Sequence, residues 1–148
     1  MHMAGETGTG PGDEDWSLEQ QVGVLIRRVQ QRHLAIFSEH VADLTPTQFS
    51  ALVTVAQDGP ISQNELGRRT AMDVATIKGV ADRLQARALV VGHRDETDRR
   101  RILLEVTPEG RALAERRRAD VSAISQATLG PLTAAERKTL VRLVKKIS

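Results

Sequence analysis

The sequence predicts a mainly α-helical protein with one small β-hairpin, built as a single domain within 148 residues. Three observations carry that prediction. Apolar residues recur at spacings of three and four along most of the chain, strict alternation is confined to the stretch 89–106, and helix starts are marked by capping residues. Aromatic residues are only 2% of the chain, with Trp16, Phe37 and Phe49 the whole set. A core of Leu, Val, Ile and Ala suits packed helices, and 40% hydrophobic content at this length fills one core rather than two.

Cysteine is absent, which removes disulfides, thiolate metal sites and thiol redox sensing and fits a reducing cytoplasm. No apolar run approaches the roughly 20 residues of a membrane span, and the N-terminus lacks a signal peptide's basic and apolar regions. The expected location is cytoplasmic, with no membrane partner. The net charge of +2 is unevenly placed: residues 1–26 hold Glu6, Asp13, Glu14, Asp15 and Glu19 and no Lys or Arg, which leaves +7 on the remainder. A basic body behind an acidic leader can hold a polyanion. Residues 1–15, rich in Gly, Thr and acid, are expected to be disordered, and 16–148 to form the domain.

The first helix is expected from Ser17 to about His40, because Val22, Leu25, Ile26, Val29, His33, Ile36, Phe37 and His40 form one stripe at helical spacing. Thr45-Pro46-Thr47-Gln48 starts the second, with a capping hydroxyl, proline at the first helical position and Leu44 and Phe49 as a hydrophobic staple. Ser62-Gln63-Asn64-Glu65 reads as a full capping box for the third, stapled by Ile61 and Leu66. Asp73 is an N-cap for the fourth, which runs from Val74 to about Arg87. Gly59-Pro60 and the short stretch 69–72 separate these helices, and turns so short force them to pack at an angle.

On the fourth helix Ile77, Val80, Ala81 and Leu84 must face inward. The opposite face then carries Ala75, Gly79, Asp82 and Arg83, flanked by Thr76 and Lys78. Gly79 in mid-helix costs roughly 1 kcal/mol relative to Ala, and close approach to another backbone is one reason to carry it. Two β-type runs follow, 89–94 and 102–106, with Ile102, Leu104 and Val106 alternating onto one face. The loop between them, Asp95-Glu96-Thr97-Asp98-Arg99-Arg100-Arg101, is too charged to be buried. Behind a helix-turn-helix, such a hairpin is a wing whose arginines can enter a narrow DNA minor groove, with Asp98 orienting a neighbouring guanidinium. The expected DNA-facing set is Ser62, Gln63, Ala75, Thr76, Lys78, Gly79, Arg83, Asp98, Arg99, Arg100 and Arg101, within a winged helix-turn-helix lobe spanning 45–107.

Thr107-Pro108-Glu109 opens a fifth helix reaching about Thr128, with Arg116, Arg117 and Arg118 on it and a thin apolar line at Leu113, Val121 and Ile124. Thr133-Ala134-Ala135-Glu136 is a capping box before a last helix with Leu140, Leu143, Val144 and Ile147 in register. The first, fifth and sixth helices carry apolar stripes without a partner in the central lobe. Association of two subunits through 17–42 and 108–148 is the economical explanation.

With these residues in place, the chain resembles the MarR family of winged-helix transcriptional regulators. The resemblance lies in Pro46-Thr47-Gln48-Phe49, Ser62-Gln63-Asn64-Glu65-Leu66-Gly67-Arg68, Thr76-Ile77-Lys78-Gly79-Val80-Ala81-Asp82-Arg83-Leu84, and Asp98-Arg99-Arg100-Arg101 through Val106-Thr107-Pro108-Glu109-Gly110. It implies a homodimer that binds a pseudo-palindromic operator in double-stranded DNA, usually as a repressor, with a wing pair at Asp98 and Arg100. Two departures stand out: many members carry a basic or larger polar residue at Gly79, and many carry Gly at Ala88. The stretch 27–33, with Ala71-Met72-Asp73 and Thr76-Ile77-Lys78-Gly79, resembles a subgroup that senses aromatic carboxylates or their CoA thioesters. Such a small-molecule effector needs a cation for its carboxylate and an apolar slot for its ring. Arg28, Arg32, His33 and His40 are the candidates for the polar part; alternatively the histidines are satisfied interface residues and the arginines pair with acids across the dimer.

No cofactor is implied and an enzyme is excluded on motifs: the chain has no Gly-x-Ser-x-Gly elbow, phosphate loop, zinc-protease helix or cysteine nucleophile. A metal-responsive regulator would draw on His33, Glu39, His40 or His93, yet His33 and His40 are two turns apart, roughly 10 Å, too far to share one ion unaided. A winged helix used only for protein contacts is the remaining alternative.

Overall fold

The computed structural model describes residues 16–148; the expectation for the leader, residues 1–15, lies outside them. The chain divides into two compact units, one ending at Arg32 and one running from His33 to Ser148. Among the described residues no helix is long and apolar enough to cross a membrane.

In the first unit the expected continuous helix is interrupted. A single 3-10 turn covers Leu18–Gln20, and the Ser17 hydroxyl makes no capping bond to it. Gln21 then takes up extended backbone (φ −71°, ψ 130°), and the helix proper, α1, runs from Val22 to His40. Gly23, a poor helix former, sits in its first turn. Val22, Leu25, Ile26 and Val29 are largely exposed, while Arg28 lies 3.9 Å from Glu19, both in solvent.

The second unit holds the core. Helices α2 (Pro46–Asp58), α3 (Gln63–Arg69) and α4 (Val74–Ala86) follow one another. Strands β2 (Val90–Arg94) and β3 (Ile102–Val106) then form the hairpin, and α5 (Pro108–Thr128) and α6 (Ala134–Ile147) close the chain. Leu52, Leu66, Ile77, Leu84, Ile124 and Val55 are its fully buried large side chains, and α2 packs against both α4 and α5. A strand the pattern does not predict, β1 (Ile61–Ser62), adds to the hairpin edge, giving the order β1-β3-β2. Ile61 pairs with Leu104 and Ser62 with Leu103, so the residue read as a staple also ties the start of α3 to the wing.

The caps at Thr45 and Thr133 are complete boxes, and Asp73 and Thr107 cap as expected. Ser62 is a correction. Its hydroxyl accepts the Glu65 amide at 3.3 Å, but the Glu65 carboxylate does not return to the Ser62 amide. Arg68 and Arg69 take it instead, because a charged partner outcompetes a neutral N–H for a carboxylate.

The departure at Ala88 has a backbone cause. Leu89 N–H donates to Leu84 C=O at 3.0 Å and Ala88 N–H to Gln85 C=O at 2.9 Å, the two bonds of a Schellman ending that needs a left-handed residue between them. Ala88 holds φ 55° without being glycine. The Thr107 hydroxyl donates to the Ala88 carbonyl at 2.7 Å while capping α5. A Cβ on Gly110 would run into the Leu89 carbonyl, so the end of α4, the root of the wing and the start of α5 meet at one junction.

A second tie joins α5 to the loop before α2. Arg117 forks onto Asp43, Nε to Oδ1 at 2.9 Å and Nη2 to Oδ2 at 2.7 Å, and Nη1 reaches Asp120 at 3.2 Å. Arg87, just past α4, donates to the Asp43 carbonyl. The face of α6 carrying Leu140, Leu143, Val144 and Ile147 is exposed.

Ala88→Gly should stabilise the protein by about 0.5–1 kcal/mol, because the roughly 1–2 kcal/mol of left-handed strain relieved exceeds the roughly 0.4–1 kcal/mol of added unfolded-state freedom. Urea unfolding at constant slope reads this as a raised midpoint; an unchanged or lowered midpoint contradicts it. The hydrogen bonds from Arg117 hold the Asp43 carboxyl below its ordinary value of 3.8. The unfolded chain therefore binds that proton more readily, and the stabilisation is full above about pH 4 and lost as pH falls through the depressed value. Unfolding free energy measured from pH 6 to 2 should fall less steeply for Asp43→Asn than for wild type, and equal slopes would contradict the assignment.

Candidate nucleic-acid interface

Helix α4 is oriented by its apolar stripe. Ile77, Val80, Ala81 and Leu84 are buried, which turns Ala75, Thr76, Lys78, Asp82 and Arg83 to the solvent. Gly79 sits among them, with open space where a Cβ would be, so no contact within the protein requires a glycine there. The Lys78 ammonium donates to Asp82 at 3.0 Å one turn on, leaving it exposed but aimed along the helix. Asp73 accepts the Thr76 amide at 2.7 Å, and that bond, with the Thr76 hydroxyl second, lowers its carboxyl pKa.

Val74 is a residue that periodicity does not single out. Its spacing to Ile77 puts it on the apolar stripe, yet it is 71% exposed at the first position of α4. On a helix that entered a major groove, an exposed aliphatic group at this position would suit a thymine methyl. No spacing rule separates it from the buried members; its place before the first full turn does.

The wing tip is shaped by its own acids. Asp95 accepts the Thr97 amide at 3.0 Å and hydroxyl at 2.8 Å, which hold its carboxyl low, amide first. The Asp95 amide donates to Arg101 C=O, and the Arg101 amide to Asp98 C=O, each at 3.0 Å. The expectation that Asp98 orients a neighbouring guanidinium is not met. Its carboxylate accepts the Arg100 backbone amide at 3.1 Å, because a residue two positions on is in reach of an Asx turn. Arg99, Arg100 and Arg101 are exposed, and among the described residues none forms an ion pair. On the strands behind the tip, His93 Nε2 and Glu105 lie 3.0 Å apart.

The sheet brings the wing to α3. An open groove of about 650 Å³ is lined by Ser62, Gln63, Asn64, Glu65, Arg68, Arg100, Arg101 and Ile102. Ser62 and Gln63 are thereby gathered with two wing arginines, and Asn64 and Arg68 join a set that sequence reasoning left without them. The signal that would have found them is the pairing of β1 with β3, which is not a local property.

The candidate effector residues are shared between the two units. Arg28 and Arg32 fall in the first unit, His33 and His40 in the second. His33 Nδ1 and the Thr128 hydroxyl are hydrogen-bonded at 2.9 Å, and its ring leans on Phe37 with centroids 6.5 Å apart. His40 is exposed, with Nδ1 2.8 Å from the Ile36 carbonyl. A concavity of about 430 Å³ at the end of α1 is lined by Phe37, Val41, Leu44 and Pro46 among others, and by none of the four candidates. Among the described residues no three His, Cys, Asp or Glu side chains are placed to hold a metal ion.

This geometry is shared with known regulators. A model of the MarR family matches residues 42–101, from the loop before α2 to the last wing arginine. NicR, an HTH-type transcriptional repressor of Pseudomonas putida, is 40% identical over 134 residues, 89% of this chain and 85% of NicR. A probable transcriptional regulator from Pseudomonas aeruginosa superposes with a TM-score of 0.86 at 42% identity, over 89% of this chain and all of that one. BpsR of Bordetella bronchiseptica, whose DNA binding is regulated by 6-hydroxynicotinic acid, superposes equally well at 40% identity, over 89% of this chain and 96% of its own.

Replacing Arg100 by Ala should weaken DNA binding by about 1–3 kcal/mol with little change in thermal stability, since the side chain is exposed. Wild-type affinity in that variant would show that the wing does not enter a groove.

Proposed function

This chain belongs to the MarR family of transcriptional regulators, and we propose that it is a homodimeric repressor that leaves a pseudo-palindromic operator when an aromatic carboxylate binds. The observation that carries the DNA-contact assignment is the polar outer face of α4, held outward by a buried stripe, together with the groove joining α3 to the arginine wing. In this reading Ala75, Thr76, Lys78, Gly79 and Arg83 face base edges or the phosphates beside them. Ser62 and Gln63 position the lobe 45–107, and Arg99, Arg100 and Arg101 track the minor groove. Asp98 acts indirectly, by shaping the turn that presents Arg100.

Segments 17–42 and 108–148 form the dimer. The apolar residues exposed on the first unit, and separately Leu140, Leu143, Val144 and Ile147 on α6, support this, because a surface with this much aliphatic exposure is usually covered. The effector class is supported by the kinship with BpsR, which favours the free acid as first probe over a CoA thioester. In this reading His33, whose Nδ1 is engaged with the Thr128 hydroxyl, is one polar candidate for the acid, with Arg28, Arg32 and His40 as the others. Release follows if the acid binds more tightly to the arrangement in which the two α4 helices miss the roughly 34 Å repeat of successive grooves.

With an operator located by genomic footprinting, 6-hydroxynicotinate, nicotinate and benzoate should be titrated against the DNA complex in fluorescence anisotropy. At least one should raise the apparent Kd about tenfold or more, and His33→Ala should blunt that response while keeping operator affinity. An operator affinity unmoved across the panel would contradict the effector reading.

A further inference from the structure

Within the groove that joins α3 to the wing, one residue has the wrong sign for a DNA surface. Glu65 sits on its lining together with Arg68, Arg100 and Arg101. Its side chain is less exposed than that of either arginine it holds, 29% against 79% for Arg68 and 46% for Arg69. Both of its oxygens are in use. Oε2 accepts from Arg68 Nη2, and Oε1 accepts from Arg69 Nε at 2.9 Å. Arg69 is in turn held from the far side by Asp58, Nη1 to Oδ2 at 2.9 Å.

The guanidinium groups around it favour the charged carboxylate. The hydrogen bond from Arg69 chiefly, then the charges of Arg68, Arg69 and Arg101, hold its carboxyl below the ordinary value. A phosphate entering the groove meets Arg100 and Arg101 unpaired, but it meets Arg68 already engaged with an anion. To bind Arg68 it must displace or share it against Glu65. Every DNA sequence pays that penalty alike, because it concerns the backbone, whereas contacts from α4 to base edges are untouched.

We propose that Glu65 attenuates backbone binding: by competing with DNA phosphate for Arg68, it lowers affinity for DNA of any sequence and leaves a larger share of the binding to the base-reading face of α4. This rests on the DNA-binding reading above. Glu65 is thus a built-in competitor rather than a contact, and its removal strengthens binding to operator and random DNA alike.

The test compares wild type, Glu65→Gln, Arg68→Gln and the double variant on operator and on random-sequence duplexes, across 50 to 300 mM salt as about the usable range. Glu65→Gln should bind random duplex more tightly, by up to about eightfold per protomer and roughly sixtyfold for the dimer at 0.1 M salt, with its log–log salt slope steeper by about 1.8, the signature of one more neutralised phosphate in each lobe. The operator-to-random affinity ratio should stay within about twofold of wild type, because the operator gains equally. In the Arg68→Gln background the same change should gain less than about twofold, because its effect runs through Arg68. Circular dichroism and thermal melts on each variant separate a folding defect from a binding change. If Glu65→Gln binds random DNA no better than wild type, or gains as much without Arg68, the inference is overturned while the DNA reading stands. If wild type shows no salt-dependent DNA binding, both fall.

Discussion

Burial of one side of α4 is the constraint on which the rest depends. Ile77, Val80 and Leu84 are each almost fully out of solvent, and burying such side chains is worth roughly 1.5–3 kcal/mol apiece. The outward face offers little to compete: a single Lys78–Asp82 pair one turn apart is worth a few tenths of a kcal/mol at about 0.2–0.5. The helix therefore cannot rotate about its axis without losing more than the surface could return. That asymmetry decides which residues are available to DNA before any DNA is present.

Two ties carry that orientation to the neighbouring elements. The Schellman ending at Ala88, with Thr107 bonded to its carbonyl and Gly110 against Leu89, sets the root of the wing and the start of α5 relative to the end of α4. The fork of Arg117 on Asp43 and the bond from Arg87 to the same residue set α5 against the loop before α2. The first tie sits where α4 ends and α5 begins, and the second reaches from the middle of α5 to the loop before α2. These bonds join the end of α4 to α5 beside the core contact that α2 makes with both helices.

What was legible in the sequence was local. Caps at Thr45, Asp73, Thr107 and Thr133 depend on residues three or four apart, and all four form. Ser62 was half legible: its hydroxyl caps, but Glu65 is taken by Arg68 and Arg69, a choice among partners that no capping rule ranks. Strand β1 was illegible because two residues carry no period, and they become a strand only by pairing with β3, some forty positions on. Asp98 was read by its charge and acts through its reach to a backbone amide. The departure at Ala88, seen as a missing glycine, turned out to mark a left-handed residue. His33 is the clearest limit, since its partner Thr128 lies 95 residues away, and nothing in the local pattern of the first helix points there.

In the function proposed for this member of the MarR family, α4 reads the major groove while the wing follows the minor groove. Methylation interference on the operator tests both at once, because dimethyl sulfate marks guanine N7 in the major groove and adenine N3 in the minor. N7 interference is expected in two successive major grooves about 34 Å apart, flanked by N3 interference where the wings lie. Protection of the backbone alone, with neither groove-specific signal, would contradict it.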